Sequence, residues 1–243
     1  MSVLLKTSGI ILRTTKYSET SLVARILTRE FGIQSYLVQG ARGRKAKVRS
    51  SVLQPLYLVE MVVYHRDNGK LQRISELRNE PVYIDIPRNP RKGCILMFLN
   101  ELIYKSLKEG EGDEELFKFL TYILTRLDQQ PDVSPLFVPD FLVKFSAYLG
   151  FATSGIYLNK SSVFDLVEGV FTQNIPPHPD FISGTTAELM SMLMLDSSTP
   201  PPIWGRQGGG NEIRELNTAL LHYYQIHLPQ FSAIKSLDML DWD

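Results

Sequence analysis

Arg42, Arg44, Lys45, Lys47 and Arg49 place five cations within eight residues of the segment "VQGARGRKAKVR" at 38–49. Guanidinium and ammonium groups at that density can neutralise a run of phosphates or an acidic peptide, and they need no catalytic partner to do so. The chain as a whole, 243 residues with 26 basic and 26 acidic side chains, is formally neutral. Its charge is segregated. The first 80 residues hold 14 Lys and Arg against 6 Asp and Glu, a net charge of +8, and the rest carry the compensating −8. A basic first third on an acidic remainder implies two units with different partners, the second ill-suited to a phosphate backbone. A charge run alone is commonly a solvated loop. Here it follows a strand-like run, lies in a basic region, and has Tyr17, Tyr36, Tyr57 and Tyr64 interleaved around it. Each tyrosine taken singly fits a core position, but an exposed one can stack on a base. Lys16, in a loop between strands, and Arg25, on a strand, extend the same basic path.

Other chemistry is not encoded. "GRQGGGNE" is rich in Gly but lacks the Lys-Ser/Thr ending of a phosphate loop and follows no strand, so it reads as linker. His222 and His227 are five apart, which points them to different sides of a helix rather than to one metal. Cys94 heads an apolar stripe and reads as core. Glu114 and Glu115 open a helix, where the dipole explains them, and Glu101 with Lys105 is an i,i+4 pair. The expectation is a protein that binds, with no cofactor, no metal and no catalytic residue. A single cysteine allows no internal disulfide, no run of about 18 apolar residues is present, and charge comes early at the N-terminus. A cytoplasmic protein is expected.

The elements that would hold the cations change character along the chain. "GIILRTTKY", "SLVARILTREFG", "IQSYLVQG" and "LYLVEMVVYHRDNGKLQRI" read as about five strands, with Tyr57, Val59, Met61 and Val63 on one face and Asp67-Asn68-Gly69 as a tight hairpin turn. That is the strand count of a small OB-type barrel. Pro81, Pro87 and Pro90 end the pattern. Beyond them the period is helical: Ile95, Phe98, Leu99, Leu102, Ile103 and Leu107 form a stripe that Gly110 and Gly112 stop. "DEELFKFLTYILTRLDQQ" and "PDFLVKFSAYLG" follow as helices, "FDLVEGVF" as a hairpin, "TTAELMSMLMLD" as a helix with Thr185 and Glu188 at capping-box spacing, "TPPPIWGRQGGG" as linker, and "NEIRELNTALLHYYQIHL" as a last helix capped by Asn211. The expected class is α+β, with an OB-fold over 1–80 and a mainly helical domain over 81–243.

The order "GIILRTTKYSETSLVARILTREFGIQSYLVQGARGRKAK" then "LQPLYLVEMVVYHRDNGKLQRISELRNE" resembles the N-terminal domain of the RecO family of bacterial DNA repair proteins. Tyr17-Ser18-Glu19-Thr20-Ser21, Gly40-Ala41-Arg42 with its basic tail, and Leu53-Gln54-Pro55 carry most of the likeness, which runs on through "FLNELIYKSL", "ELFKFLTYILTRL" and "FLVKFSAYLGF". It implies an OB-fold and a helical domain that bind single- and double-stranded DNA, anneal complementary strands and, with RecR, help load RecA on DNA coated by single-strand-binding protein (SSB). It also implies that the helical domain takes the acidic tail of SSB, for which Lys144 is the candidate cation, and that no residue is catalytic. A nucleoid-associated, cytoplasmic site of action goes with it. Many members of that family carry a cysteine-rich zinc module after the position of Leu149-Gly150-Phe151. Residues 151–184 here contain no Cys and only His178, so no zinc is expected, and packing of Phe164, Val167 and Phe171 should take its place. The alternatives are an OB-fold RNA-binding protein and a non-catalytic interaction scaffold.

Overall fold

The computed structural model describes residues 3–41, 43, 48–66, 71–108, 110, 112–195 and 210–240. Its first half is built on period-2 alternation. β1 (Val3–Lys16) leads into β2 (Leu22–Thr28), where Leu22, Ala24 and Ile26 are buried and Val23 and Arg25 are half-buried. β3 (Gly32–Val38) buries Tyr36 and Val38. In β4 (Leu58–His65) Val59, Met61 and Val63 point inward, with Glu60, Val62 and Tyr64 between them. Tyr57, expected on that face, precedes the strand and packs edge-on against Tyr83 at 5.1 Å. β5 (Gln72–Asn79) completes the set, and the five strands pair in the ring β1-β2-β3-β5-β4 with β4 returning to β1. Asp67-Asn68-Gly69 lies outside the described residues.

Closing that ring asks β1 to serve two neighbours. Its first part pairs with β4 and its second with β2, and Gly9 lies opposite both Val59 and Thr28. A Cβ at Gly9 would stand 2.6 Å from Ile26 Cγ2 and 3.0 Å from Met61 Cε, so a side chain there would displace the barrel core.

A cis Glu80–Pro81 bond and a short segment lead to α1 (Pro90–Ser106). Pro90 is the first helical residue, where its missing N–H costs nothing, and the Asn89 side chain accepts from Lys92 N. The expected stripe from Ile95 to Ile103 is buried. The helix ends at Ser106, before the glycines. α2 (Glu114–Gln129) is capped by Asp113, whose carboxylate accepts from Leu116 N at 2.9 Å. Glu101 and Lys105 form their expected pair at 2.7 Å. α1 and α2 belong with the barrel in one compact unit, Met1–Gln130, and the second unit is Pro131–Asp243.

In the second unit α3 (Phe137–Tyr148), α4 (Gly184–Leu195) and α5 (Gly210–His227) pack on one another. Thr185 and Asn211 are each the second residue of their helix rather than its cap. The expected hairpin is present as β6 (Val163–Asp165) and β7 (Val170–Thr172), with Phe164 opposite Phe171, and β8 (Phe181–Ile182) adds a third strand. Phe164 and Phe171 are buried and meet edge to face at 5.1 Å. Val167 does not join them. It sits exposed in the hairpin turn, which the Asp165 carboxylate holds by accepting from Val167 N at 2.8 Å and Glu168 N at 3.1 Å. Instead α5 supplies the packing: the Tyr223 and Tyr224 hydroxyls donate to the carbonyls of Phe151 and Leu142, both at 2.8 Å, and His227 stacks on Phe151. Residues 199–209 of the expected linker lie outside the described residues.

Candidate nucleic-acid interface

Three connections root at one end of the barrel. Val38, the last residue of β3, lies opposite Leu22, the first of β2, and Leu22 pairs in turn with Lys16, the last of β1. Leu37 lies opposite both Val23 and Arg73, and Arg73 lies opposite Tyr64. The β1–β2 loop, the start of the β3–β4 connection and the β4–β5 loop therefore begin within two register positions of Val38.

Each root is fastened. In the first loop Tyr17 N and Ser18 N donate to Ser21 O at 3.0 and 3.2 Å. In the second, Gly40 takes a φ of +67°, Ser50 N donates to Ala41 O at 3.1 Å, and Ala41 and Val48 are buried in the barrel core. The basic segment thus leaves and re-enters the barrel at one place. In the third, the buried Gln72 side chain closes the base: its amide donates to Arg66 O at 2.8 Å and accepts from Arg66 N at 3.1 Å. Gln72→Leu strands both Arg66 backbone groups. It is expected to cost about 1–3 kcal/mol in urea unfolding and to weaken single-strand binding; unchanged values of both would show that the amide does not hold the loop.

Of the candidate cations, Lys16 and Arg49 are exposed at this end. Lys16 is the end of β1 rather than a loop residue, because β1 extends to pair with Leu22. Arg42, Arg44, Lys45 and Lys47 lie outside the described residues. Arg66 and Arg73 join the site, both exposed, with Arg73 Nη2 donating to Gln39 Oε1 at 2.5 Å. Isolated cations at the ends of strand-like runs carry no signal in a sequence. Only the strand register places them here.

Arg25 is placed differently. It lies opposite Arg13, and both guanidiniums sit 5.4 Å from the ring centre of Tyr104 on α1. Arg13 Nη1 donates to the Tyr104 hydroxyl at 3.1 Å, and the two cations hold that phenol below its usual pKa, the Arg13 hydrogen bond first among the causes. Arg25 is therefore drawn onto a helix rather than toward the loops.

Elsewhere on the barrel Lys6, Arg78 and Arg29 have acidic partners, while Arg13 and Arg25 face the Tyr104 ring. Glu60 takes Lys6 at 3.2 Å and Arg78 at 2.8 Å, which holds its carboxyl below the ordinary value, and Arg29 pairs with Glu114. Among the described residues, Lys16, Arg49 and Arg66 have no acidic partner. The one acid in the first loop is Glu19. These exposed cations lie at the same end of the barrel as exposed Tyr17 and Tyr64. Tyr36 is fully buried, and burial raises its phenol pKa.

In the second unit Lys144 is half-buried and pairs with Asp140 one turn earlier, at 2.7 Å. His178 faces Asp165 at 3.4 Å, and His222 faces Asp180 at 2.8 Å. Among the described residues no three His, Cys, Asp or Glu side chains stand together as metal ligands. With no thiolate in 151–184, this segment does not fit a zinc ion.

A five-stranded barrel with three connections rooted at one end, followed by a helical region, defines an OB-type protein with an appended helical domain. Comparison with known proteins is more specific. Residues 1–79 match the family model described as recombination protein O N terminal, and residues 88–238 match recombination protein O C terminal. Proteins named DNA repair protein RecO from Azobacteroides pseudotrichonymphae, Phocaeicola vulgatus and Bacteroides fragilis are 31%, 32% and 31% identical to the chain, each over 98% of both sequences. The chain belongs to the recombination protein O family, the family of those DNA repair proteins. No helix among the described residues is long and apolar enough to cross a membrane.

Proposed function

We propose that this protein binds single- and double-stranded DNA at the loop end of its barrel, anneals complementary strands and, with RecR, helps load RecA on SSB-coated DNA in the bacterial cytoplasm. The observation that carries this is the concentration of cations without acidic partners where three loops converge, in a chain whose relatives are DNA repair proteins. Arg42, Arg44, Lys45, Lys47, Arg49 and Lys16 contact phosphates, with little sequence preference, because no pattern of side chains suited to reading base edges accompanies them. Neutralising two strands on one surface lowers their repulsion and leaves the bases available to pair. The protein works by binding, without catalysis of its own.

The acidic tail of SSB is taken by the helical domain. Lys144 can serve there only by exchanging its Asp140 partner for a tail carboxylate, so tail binding at this residue competes with an existing ion pair.

The test is strand annealing at two salt concentrations, with and without SSB, alongside SSB-tail peptide binding to the native protein and to Lys144→Ala. If about four cations contact phosphates, single-strand affinity falls with salt at a log–log slope near about −3. A protein that prefers RNA and does not anneal, or that has no DNA affinity at moderate salt, would sink the proposal in favour of an RNA-binding or scaffolding role.

A further inference from the structure

The strand registers set a row of outward-facing side chains across the barrel just below its loops: Leu4 on β1, Tyr64 on β4, Arg73 on β5, Leu37 on β3 and Val23 on β2. Tyr64 is the only aromatic residue of that row. Its side chain is 44% exposed, and Leu4 beside it is 55% exposed. Other tyrosines of this unit have visible structural work. Tyr57 packs on Tyr83, the Tyr83 hydroxyl donates to Leu56 O at 2.8 Å, and Tyr104 holds two arginines. Among the described residues the Tyr64 side chain has no ring partner and its hydroxyl no hydrogen bond. Nor is it capped by its cross-strand neighbour, because Arg73 reaches to Gln39 instead. Arg66 follows two residues on, exposed, with its backbone gripped by Gln72.

A bare aromatic face with an arginine opposite it in the register and a second two residues on is suited to one occupant, an unpaired base with its flanking phosphates. A phosphate carries charge to the arginines and the base covers the ring. An acidic peptide would satisfy the arginines and leave the ring unused. A duplex keeps its bases inside the stack, so it can reach the arginines but not the tyrosine.

We infer that Tyr64 is a stacking platform for an unpaired base, with Arg73 and Arg66 taking the adjoining phosphates, and that it is what lets the barrel prefer single strands over duplex. This rests on the DNA-binding reading above and adds to it the residue that distinguishes the two forms of DNA. The basic segment attracts both forms alike, since its cations meet only phosphate.

The test is fluorescence anisotropy of the full chain with three probes of about 20 residues each: oligothymidylate, the same backbone with abasic sites, and a duplex. Tyr64→Ala is expected to lose about tenfold in affinity for oligothymidylate, the effect of one base–aromatic stack, with the other two probes unaffected. Tyr64→Phe, which keeps the ring, should bind as the native protein does. Unchanged duplex binding also shows that Tyr64→Ala remains folded. If Tyr64→Ala binds oligothymidylate as well as the native protein does, or loses all three probes equally, the platform is overturned while the DNA reading stands. A native protein that binds none of the probes overturns both.

Discussion

Replacing Arg42, Arg44 and Lys45 together by Glu is expected to abolish strand annealing and leave the fold intact. Of the cations assigned to DNA, these three belong to one short segment of the β3–β4 connection. Their reversal removes three positive charges from that segment and adds three negative ones. With about four phosphate contacts in the native protein, the salt slope of single-strand binding should fall from near about −3 to near about −1. Annealing should suffer more than binding. It requires two polyanions on one surface, and a patch that has become acidic repels the second strand even where the first still binds. The fold should survive because the segment is held by Ala41 and Val48 in the barrel core and by the Ser50 N to Ala41 O bond, none of which is altered. Thermal unfolding at the native midpoint would confirm that. Annealing at the native rate in this variant would remove the basic segment from the mechanism.

The largest effect on stability is expected at Asp128, which is not among the residues assigned to DNA. The residue is 9% exposed, and its carboxylate accepts from the backbone N–H groups of Ile84, Asp85 and Ile86 at 2.8–3.1 Å. Lys92, fully buried on α1, completes the crosspiece: its ammonium donates to the carbonyls of Asp128 and Gln130 and to Asp85 Oδ2 at 2.6 Å, so its three donors are satisfied. That contact holds the Asp85 carboxyl below its ordinary pKa. One side-chain network thus ties the segment after β5 to the start of α1 and the end of α2. Asp128→Ala strands three backbone donors and should cost about 3–5 kcal/mol. For a chain of this size that is a fall of about 10 °C in Tm. Lys92→Met should cost less, because the stem volume is kept and Asp85, half-exposed, can take up water. Urea unfolding with an unchanged m-value would measure both. A loss below about 1 kcal/mol for Asp128→Ala would show that water replaces the carboxylate.

The sequence by itself determined the local patterns. Inward Val59, Met61 and Val63, the buried stripe from Ile95 to Ile103 and the Glu101–Lys105 pair depend on spacings of two to four residues, which secondary structure converts directly into faces. Charge segregation was equally legible, because counting needs no coordinates. Family likeness marked the basic segment, and Phe164 packs on Phe171 as expected. Val167 was misjudged because a hairpin turn puts its own middle residues outside, whatever their hydropathy.

What only the tertiary structure decided is where each charge goes. Lys92 looks like a solvated lysine in sequence, yet it is fully buried because its carbonyl partners come from 36 and 38 residues away. Arg25 looks like part of the basic path, yet Tyr104 of α1 draws it aside. Tyr64 and Arg73 meet through the β4–β5 register, and the parallel contact of β3 with β5, which closes the ring, sets them beside the end of β3 where the basic segment begins. A residue's own neighbours fix which face it takes, but a site is made by segments distant in the chain, and their meeting is set by barrel closure rather than by any local spacing.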